Sequence, residues 1–406
     1  MAAITSLQSL LLDLPPSCVE FWPLCPRYAV VGTYNLEKSP TNASGNEEGA
    51  SHESEPPKVQ ERNGSILLLE VDGDRVNIVQ TVTTPFAVLD IHFAPKGHPQ
   101  SLFGVASSTG SVGLYRLIHH KFDALDSNID QSAAPKVIHV QTITVADPST
   151  LVTAFQWHTR GCRSERMSLV ACLSLTDGTI ALEEIPTDPA TTDRISENIG
   201  NHDLEAWTIA LTDDGTGIYS GGDDSVLGFW DLVKHSGEFW PDNSNSDVAE
   251  KIEWKDRKIH GAGVTAILPL QTRGSDSLVV TGSYDDHIRL IGASALGRRR
   301  VLAETHLGGG VWRLKQLNKA SELPQTPRDN QEEILIFASC MHAGARILKL
   351  SCVHGDGEWQ FEVLAKFEEH KSMNYGSDCQ PYIDDHGQRT FITTSFYDRL
   401  LCLWRY

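Results

Sequence analysis

The chain has 406 residues, of which 40% are hydrophobic and 21% charged, enough apolar material for a large globular core. Its 34 Lys and Arg stand against 53 Asp and Glu, and the net charge of −19 excludes a general phosphate-backbone binder, whose footprint would be basic. The acidity serves either solubility or a basic protein partner.

In chain order, "MAAITSLQSLLLDLPP" lacks the basic start and unbroken apolar run of a signal peptide, and Asp13 follows closely. No stretch reaches the roughly 18–20 apolar residues needed to span a bilayer. A soluble protein of the cytoplasm, possible also in the nucleus, is expected. Eight cysteines are scattered from Cys18 to Cys402 with no C-x-x-C pair, as for free thiols in a reducing compartment.

Paired apolar segments with Gly or Asp turns then recur along the chain. "CVEFWPL", "YAVVGTYNL" and "GSILLLEV" predict a first unit, interrupted over residues 37–63 by a polar stretch read as a disordered insertion. "VLDIHFAP" with "LFGVASSTGSVGLYRL" predicts a second, and "VTAFQWHT" with "SLVACLSLTDGTIALEEI" a third. The fourth, "AWTIALTDDGTGIYSGGDDSVLGFWDL", is the clearest, and "GVTAILPL" with "SLVVTGSYDDHIRLIG" follows as the fifth. Arg298, Arg299 and Arg300 come next and read as a solvated loop, or as a phosphate contact. "GVWRLKQL" and "EILIFASCMHAGARILKL" make the sixth, interrupted by "KASELPQTPRDNQ", and "FITTSFYDRLLCLWRY" the seventh.

Such self-similarity is the signature of a radial repeat. A His ahead of each unit, an Asp on its turn, a Ser or Thr and a Trp can satisfy one another's buried polar groups. Three structural sets are predicted: His202, Asp224, Ser220 and Trp230; His260, Asp285 and Thr281, with Ile291 in place of the Trp; and His370, Asp398, Thr394 and Trp404. The expected fold is all-β, a seven-bladed WD-repeat β-propeller occupying residues 1–406 as one domain. The last blade lacks an outer strand, which "ITSLQSLLLDL" is expected to supply, closing the ring.

No G-x-S-x-G elbow, H-E-x-x-H, Walker loop or helix-opening G-x-G-x-x-G occurs. A propeller instead gathers residues on one face. His306 sits where a peg His should lie, and His342 stands near the turn where blade six lacks the Asp, so both imidazoles are candidate general bases. Backbone or water partners are the alternative. Gly308, Gly309 and Gly310 either bind an oxyanion or make a tight turn into the inner strand. Trp312 reads as core and Arg313 as facing the channel; "HKSMNYGSD", with Tyr375 and Asp378, is either loop or site. No spacing fixes a metal, and no cofactor is expected.

"HDLEAWTIAL", "SGGDDSVLGFWD", "HGAGVTAI", "TGSYDDHIRL", "GGGVWRLK", "CMHAGARIL", "HKSMNYGSD" and "TTSFYDRLLCLWR" resemble the WD-repeat diphthine methyl ester esterase family. They cover blades four to seven; "VEFWPL" and "VVGTYNL" carry the likeness in the N-terminal half. The resemblance implies hydrolysis of the methyl ester on the methylated diphthine intermediate of translation elongation factor 2. Methanol leaves, and the carboxylate goes on to amidation. No family motif names the acting residues. From the residues alone, His306 or His342 activates water, Asp378 or Glu205 orients the base, and the Gly308–Gly310 backbone holds the oxyanion. Arg313, Tyr375 and Tyr397 are expected to contact substrate. A monomer without nucleic-acid or membrane partners is expected. The competing class is a non-catalytic interaction scaffold, which should show exposed aromatic or Arg anchors in place of a His-rich face.

Overall fold

The computed structural model describes residues 2–36, 61–119, 134–158, 168–191, 193–232, 239, 253–270, 277–293, 298–318, 333–353 and 358–406. Seven sheets, each with an antiparallel core of four strands, form a seven-bladed propeller. The innermost strands are Pro16–Phe21, Val88–Phe93, Val152–Trp157, Ala206–Leu211, Val264–Leu270, Arg313–Gln316 and Ser377–Cys379. The first six follow one another around the axis, and the seventh returns to the first.

Position in the blade sets each strand's sequence. Second strands such as Tyr28–Thr33 and Thr390–Ser395 are buried at every residue because neighbouring blades cover both faces, so they read as unbroken apolar or small-residue runs. The outer strand Lys136–Thr144 instead mixes buried and exposed positions. The glycines of the repeats are made necessary by blade-to-blade approach. A Cβ on Gly32 would lie 2.3 Å from Val88, one on Gly221 2.7 Å from Val264, and one on Gly282 2.4 Å from Val311. In three alternate blades a hydroxyl ties the same junction: Ser17 donates to the Val88 carbonyl at 2.6 Å, Thr153 to that of Ala206 at 2.6 Å and Thr265 to that of Val311 at 2.5 Å.

The N-terminal segment closes the ring. Gln8–Leu11 pairs antiparallel with Leu400–Arg405 as the fourth strand of blade seven. Ala2–Ile4, not anticipated, adds a parallel strand beyond Glu358–Phe367 of blade six. The ring is thus fastened across two blades, and the edge of Leu400–Arg405 in blade seven is covered.

The peg in blade four is complete. His202 Nδ1 donates to Asp224 at 2.9 Å, Ser220 bridges to Nε2 at 2.8 Å, and Trp230 Nε1 donates to the Ser220 hydroxyl at 2.7 Å. In blade five His260 meets Thr281 at 2.8 Å, but Asp285 turns to Arg289 at 2.9 Å and leaves His260 Nδ1 without a partner. In blade seven Thr393, not Thr394, joins His370 at 2.8 Å and Trp404 at 3.0 Å. Thr393 pairs with Cys402, nine residues on, whereas Ser220 pairs with Gly228, eight on. The longer turn shifts the count by one, and a shift of one residue changes the face of a strand. Asp398 accepts from the Lys371 N–H and makes no bond to His370. Thr393→Ala is therefore expected to cost about 1–3 kcal/mol and Thr394→Ala clearly less, measured by urea denaturation.

Burial, with a contribution from Arg289 at His260, lowers the pKa of both His260 and His370 to about 4 from 6.5. A histidine held neutral stabilises the fold fully above its unfolded pKa, and that contribution is lost as pH falls from about 6.5 toward 4.

The segment 37–63 begins outside the described residues, over 37–60, but Arg62 and Asn63 open the long strand Arg62–Asp72 rather than ending a loop. The stretch 319–331 also lies outside the described residues. Within the Arg298–Arg300 run, Arg299 packs over the Trp254 ring at 4.6 Å and Arg300 starts an outer strand, so this is no bare solvated loop.

Candidate functional site

The inner strands project two rings of side chains into the axial channel. The first comprises the residues just past a register shift, Cys18, Asp90, Ala154, Thr208 and Ala266, with Arg313 and Gly376 at the matching places in blades six and seven. Two residues further, on the same face of each strand, come Glu20, His92, Gln156, Lys315 and Asp378. These rings line a cavity of about 560 Å³.

Six of the seven charged lining groups, all but Lys96, pair with one another. Arg313 of blade six reaches Asp90 of blade two at 2.8 Å, although those blades are not neighbours. His92 lies between Asp90, at 3.3 Å, and Glu20, at 2.7 Å. Lys315 pairs with Asp378, whose other oxygen accepts from the Phe21 N–H at 2.7 Å. Burial works against the charge on His92, but the carboxylates of Asp90 and Glu20 outweigh it and raise its pKa to about 10. Burial likewise opposes the Asp90 carboxylate, and Arg313 and His92 overcome it, lowering the pKa to about 2. His92 is accordingly an imidazolium at neutral pH and no general base there. The Cys18 thiol, pushed up to about 12 by burial and then by Asp90, is no nucleophile.

The His92 contribution has the opposite sign to that of the two pegs. It is fully present below about 6.5 and lost as pH rises through about 10. Taken by themselves, these three histidines favour the folded state most near pH 6.5. Thermal melts from pH 4 to 10 check this; a His92→Gln variant should lose the alkaline slope and keep the acidic one.

Above the first ring, the mouth is aromatic. Trp207, Trp312 and Tyr375 each immediately precede a first-ring residue, and Tyr284 and Phe396 immediately follow second strands. Trp312 lies 6.0 Å from Trp207, 6.1 Å from Tyr284 and 4.7 Å from Tyr375, and Tyr375 continues to Phe396 at 5.5 Å. Trp312 is half-buried at the cavity, not core. Tyr397 stands outside on the rim, 71% exposed.

His306 and His342 share a separate, open cavity of about 410 Å³ on the rim, with Gly308, Arg346, Lys366 and Glu368. His306 does not take a peg position. Leu307, 4% exposed, fills that slot and packs with Ala338 and Leu348 in an apolar version of the peg. One residue earlier the side chain points the other way, so His306 turns to solvent with 58% of its side chain exposed. Its Nε2 stands 3.6 Å from Asp286, and its ring 5.0 Å from that of His287.

The predicted constellation is therefore only partly assembled. Asp378 is committed to Lys315 and Phe21 inside the channel, and among the described residues no contact joins it or Glu205 to either histidine. The carboxylate beside His306 is Asp286. Of the three glycines only Gly308 borders the histidine cavity. A Cβ on Gly309 would meet the Cys340 carbonyl at 2.4 Å, and one on Gly310 the Met341 sulfur at 2.8 Å, so those two serve close packing. Arg313 does face the channel. Glu20, Asp90, His92 and Lys315 escaped the sequence reading, although "VEF", "DIHF" and "RLK" carry polar residues at a spacing of two within buried strands. Among the described residues no cluster of His, Cys, Asp and Glu is arranged to hold a metal, and no helix is long and apolar enough to cross a membrane.

No protein-family model matches the chain. Over 393 residues it is 26% identical to diphthine methyltransferase of Schizosaccharomyces pombe, covering 97% of this chain and 95% of that protein. The chain resembles the diphthine methyltransferases along nearly its whole length. The Saccharomyces cerevisiae protein of that name is 24% identical over 96% of this chain and 95% of its own. The human one is 27% identical over 93% of this chain and 75% of its own. Among solved structures, a chain of the mitotic checkpoint complex matches with a TM-score of 0.59 at 15% identity, covering 99% of this chain and 92% of that one. Sqt1 from Chaetomium thermophilum matches with a TM-score of 0.56 at 12% identity, over 94% of this chain and 80% of that one. These two likenesses speak for the fold alone.

Proposed function

We propose that the chain hydrolyses the methyl ester of methylated diphthine on translation elongation factor 2, releasing methanol and freeing the carboxylate for the amidation that completes diphthamide. The observation that carries this reading is the end-to-end resemblance to proteins named diphthine methyltransferase. Their name speaks of methyl transfer. In hydrolysis the acyl group passes to water and the methyl group leaves as methanol.

The rim cavity supplies the parts an ester hydrolysis needs. His306, steadied by Asp286, takes a proton from water as the oxygen attacks the ester carbonyl. Gly308 and Lys366 both line this cavity, and in this reading the Gly308 N–H and the Lys366 ammonium stabilise the oxyanion. As the tetrahedral species collapses, the imidazolium returns the proton to the departing methoxide. His342, across the cavity, is the second candidate for the same role. The protein works as a monomer in the cytoplasm and takes elongation factor 2 as a macromolecular substrate.

A second reading has an observation in its favour. The face that carries the histidines also carries aromatic side chains, Tyr397 among them, as an interaction scaffold should. Purified protein mixed with elongation factor 2 bearing the methyl ester separates the two. Methanol release with loss of one methylene mass from the modified peptide, undiminished by a chelator, is the expected result. Binding without mass loss would leave the scaffold.

A further inference from the structure

We infer that the axial channel is a binding site for a small oxyanion, a phosphate or a compact carboxylate, entering from the end opposite the aromatic mouth. The place is distinct from the histidine cavity and does not rest on the reaction assigned there. The channel cavity of about 560 Å³ runs down to Pro23, Lys96 and Pro381, which follow the ends of their inner strands, so it continues past the second ring. In its two strongest ion pairs the partners are unequally placed. The Asp90 and Asp378 side chains are 3% and 6% exposed, whereas Arg313 and Lys315 are 29% and 45% exposed. The carboxylates are thus sealed into the wall, and it is the cations that face the open space.

Hydrogen bonding shows the same asymmetry. Every carboxylate oxygen of the channel already has a partner: Asp90 accepts from Arg313, His92 and the Phe155 N–H, Glu20 from His92 and the Phe93 N–H, and Asp378 from Lys315 and the Phe21 N–H. Donors remain. Arg313 gives a single Nη2–H to Asp90, so its Nε and Nη1 have no acceptor among the described residues, and Lys315 gives a single side-chain bond, to Asp378. Gln156 spends its Oε1 on the Leu211 N–H at 3.0 Å and leaves Nε2 unbonded among the described residues. The paired groups cancel, three cations against three carboxylates, and Lys96 adds a further positive charge at the far end. Water meets the spare donors but leaves that charge, whereas an oxyanion meets both. The chain's net charge of −19 repels anions at long range, so saturable uptake of one needs a local site of this kind.

Calorimetric titration of the full chain with inorganic phosphate, malonate and neutral malonamide, at an ionic strength fixed with sodium chloride, tests this. Phosphate or malonate should bind saturably, and malonamide at least about tenfold more weakly than the better anion. The tighter of the two anions names the group that the channel takes. Gln156→Glu keeps an oxygen for the Leu211 N–H, replaces the spare amide donor by a carboxylate oxygen, and should weaken the anion at least about tenfold. Lys96→Gln, on an exposed side chain, should weaken it about two- to fivefold. Lys366→Met, in the histidine cavity, should leave it unchanged. Thermal melts identify any variant that fails to fold, and Lys96→Gln carries the test if Gln156→Glu is one of them. No saturable binding of either anion, malonamide binding as tightly as the better anion, or binding indifferent to both channel substitutions would each overturn the inference. So would loss of binding in Lys366→Met, which would put the anion on the rim.

Discussion

Arg313→Met is expected to destabilise the protein by about 3–5 kcal/mol, the cost typical of removing one partner from a buried ion pair. Asp90 is only 3% exposed and is the acceptor on which Arg313, His92 and the Phe155 N–H converge. Without the guanidinium, that carboxylate stays in the channel wall with His92 as its remaining cation, and His92 is shared with Glu20. The pair also crosses the lumen from blade six to blade two, so its loss frees two blades that do not pack side by side in the ring. Urea denaturation measures the effect. Asp90→Leu combined with Arg313→Met should recover more than half of it, because removing both charges leaves no orphan. A loss below about 1 kcal/mol in the single variant would mean that the pair behaves as an exposed one.

The second large effect concerns the rim. His306→Ala with His342→Ala is expected to lower kcat by about a hundred- to ten-thousand-fold, the usual contribution of a general base. The fold should be untouched, since His306 is mostly exposed and Leu307, not His306, fills the peg slot. Asp286→Asn should act in the same direction and more weakly, through the orientation of His306. Full activity in the double variant would remove the base from this cavity and turn attention to the channel mouth, where Arg313 and Tyr375 lie.

The architecture was legible because blades repeat a local requirement. Glycine where the next blade crowds the chain, a turn Asp and a His–Ser–Trp relay leave recognisable spacings, and Gln8–Leu11 was traceable as the missing strand of blade seven. Where the local requirement changes, spacing misleads. The extra turn residue of blade seven moved the peg from Thr394 to Thr393, and the apolar peg of blade six put Leu307 where His306 was expected. The channel network was harder to see for another reason. Arg313 and Asp90 are 223 residues apart, and nothing in either strand's own sequence says which blade faces it across the lumen. Asp286 went unnoticed beside the more familiar Asp285, although only Asp286 stands near His306.

In the proposed reaction the protein itself cleaves the ester with water. The most direct measurement runs the reaction on methylated diphthine of elongation factor 2 in oxygen-labelled water and weighs the product peptide. Attack at the carbonyl carbon should release methanol and leave one labelled oxygen in the new carboxylate. An ester left intact after prolonged incubation with folded protein, or a demethylated product carrying no label, would contradict it.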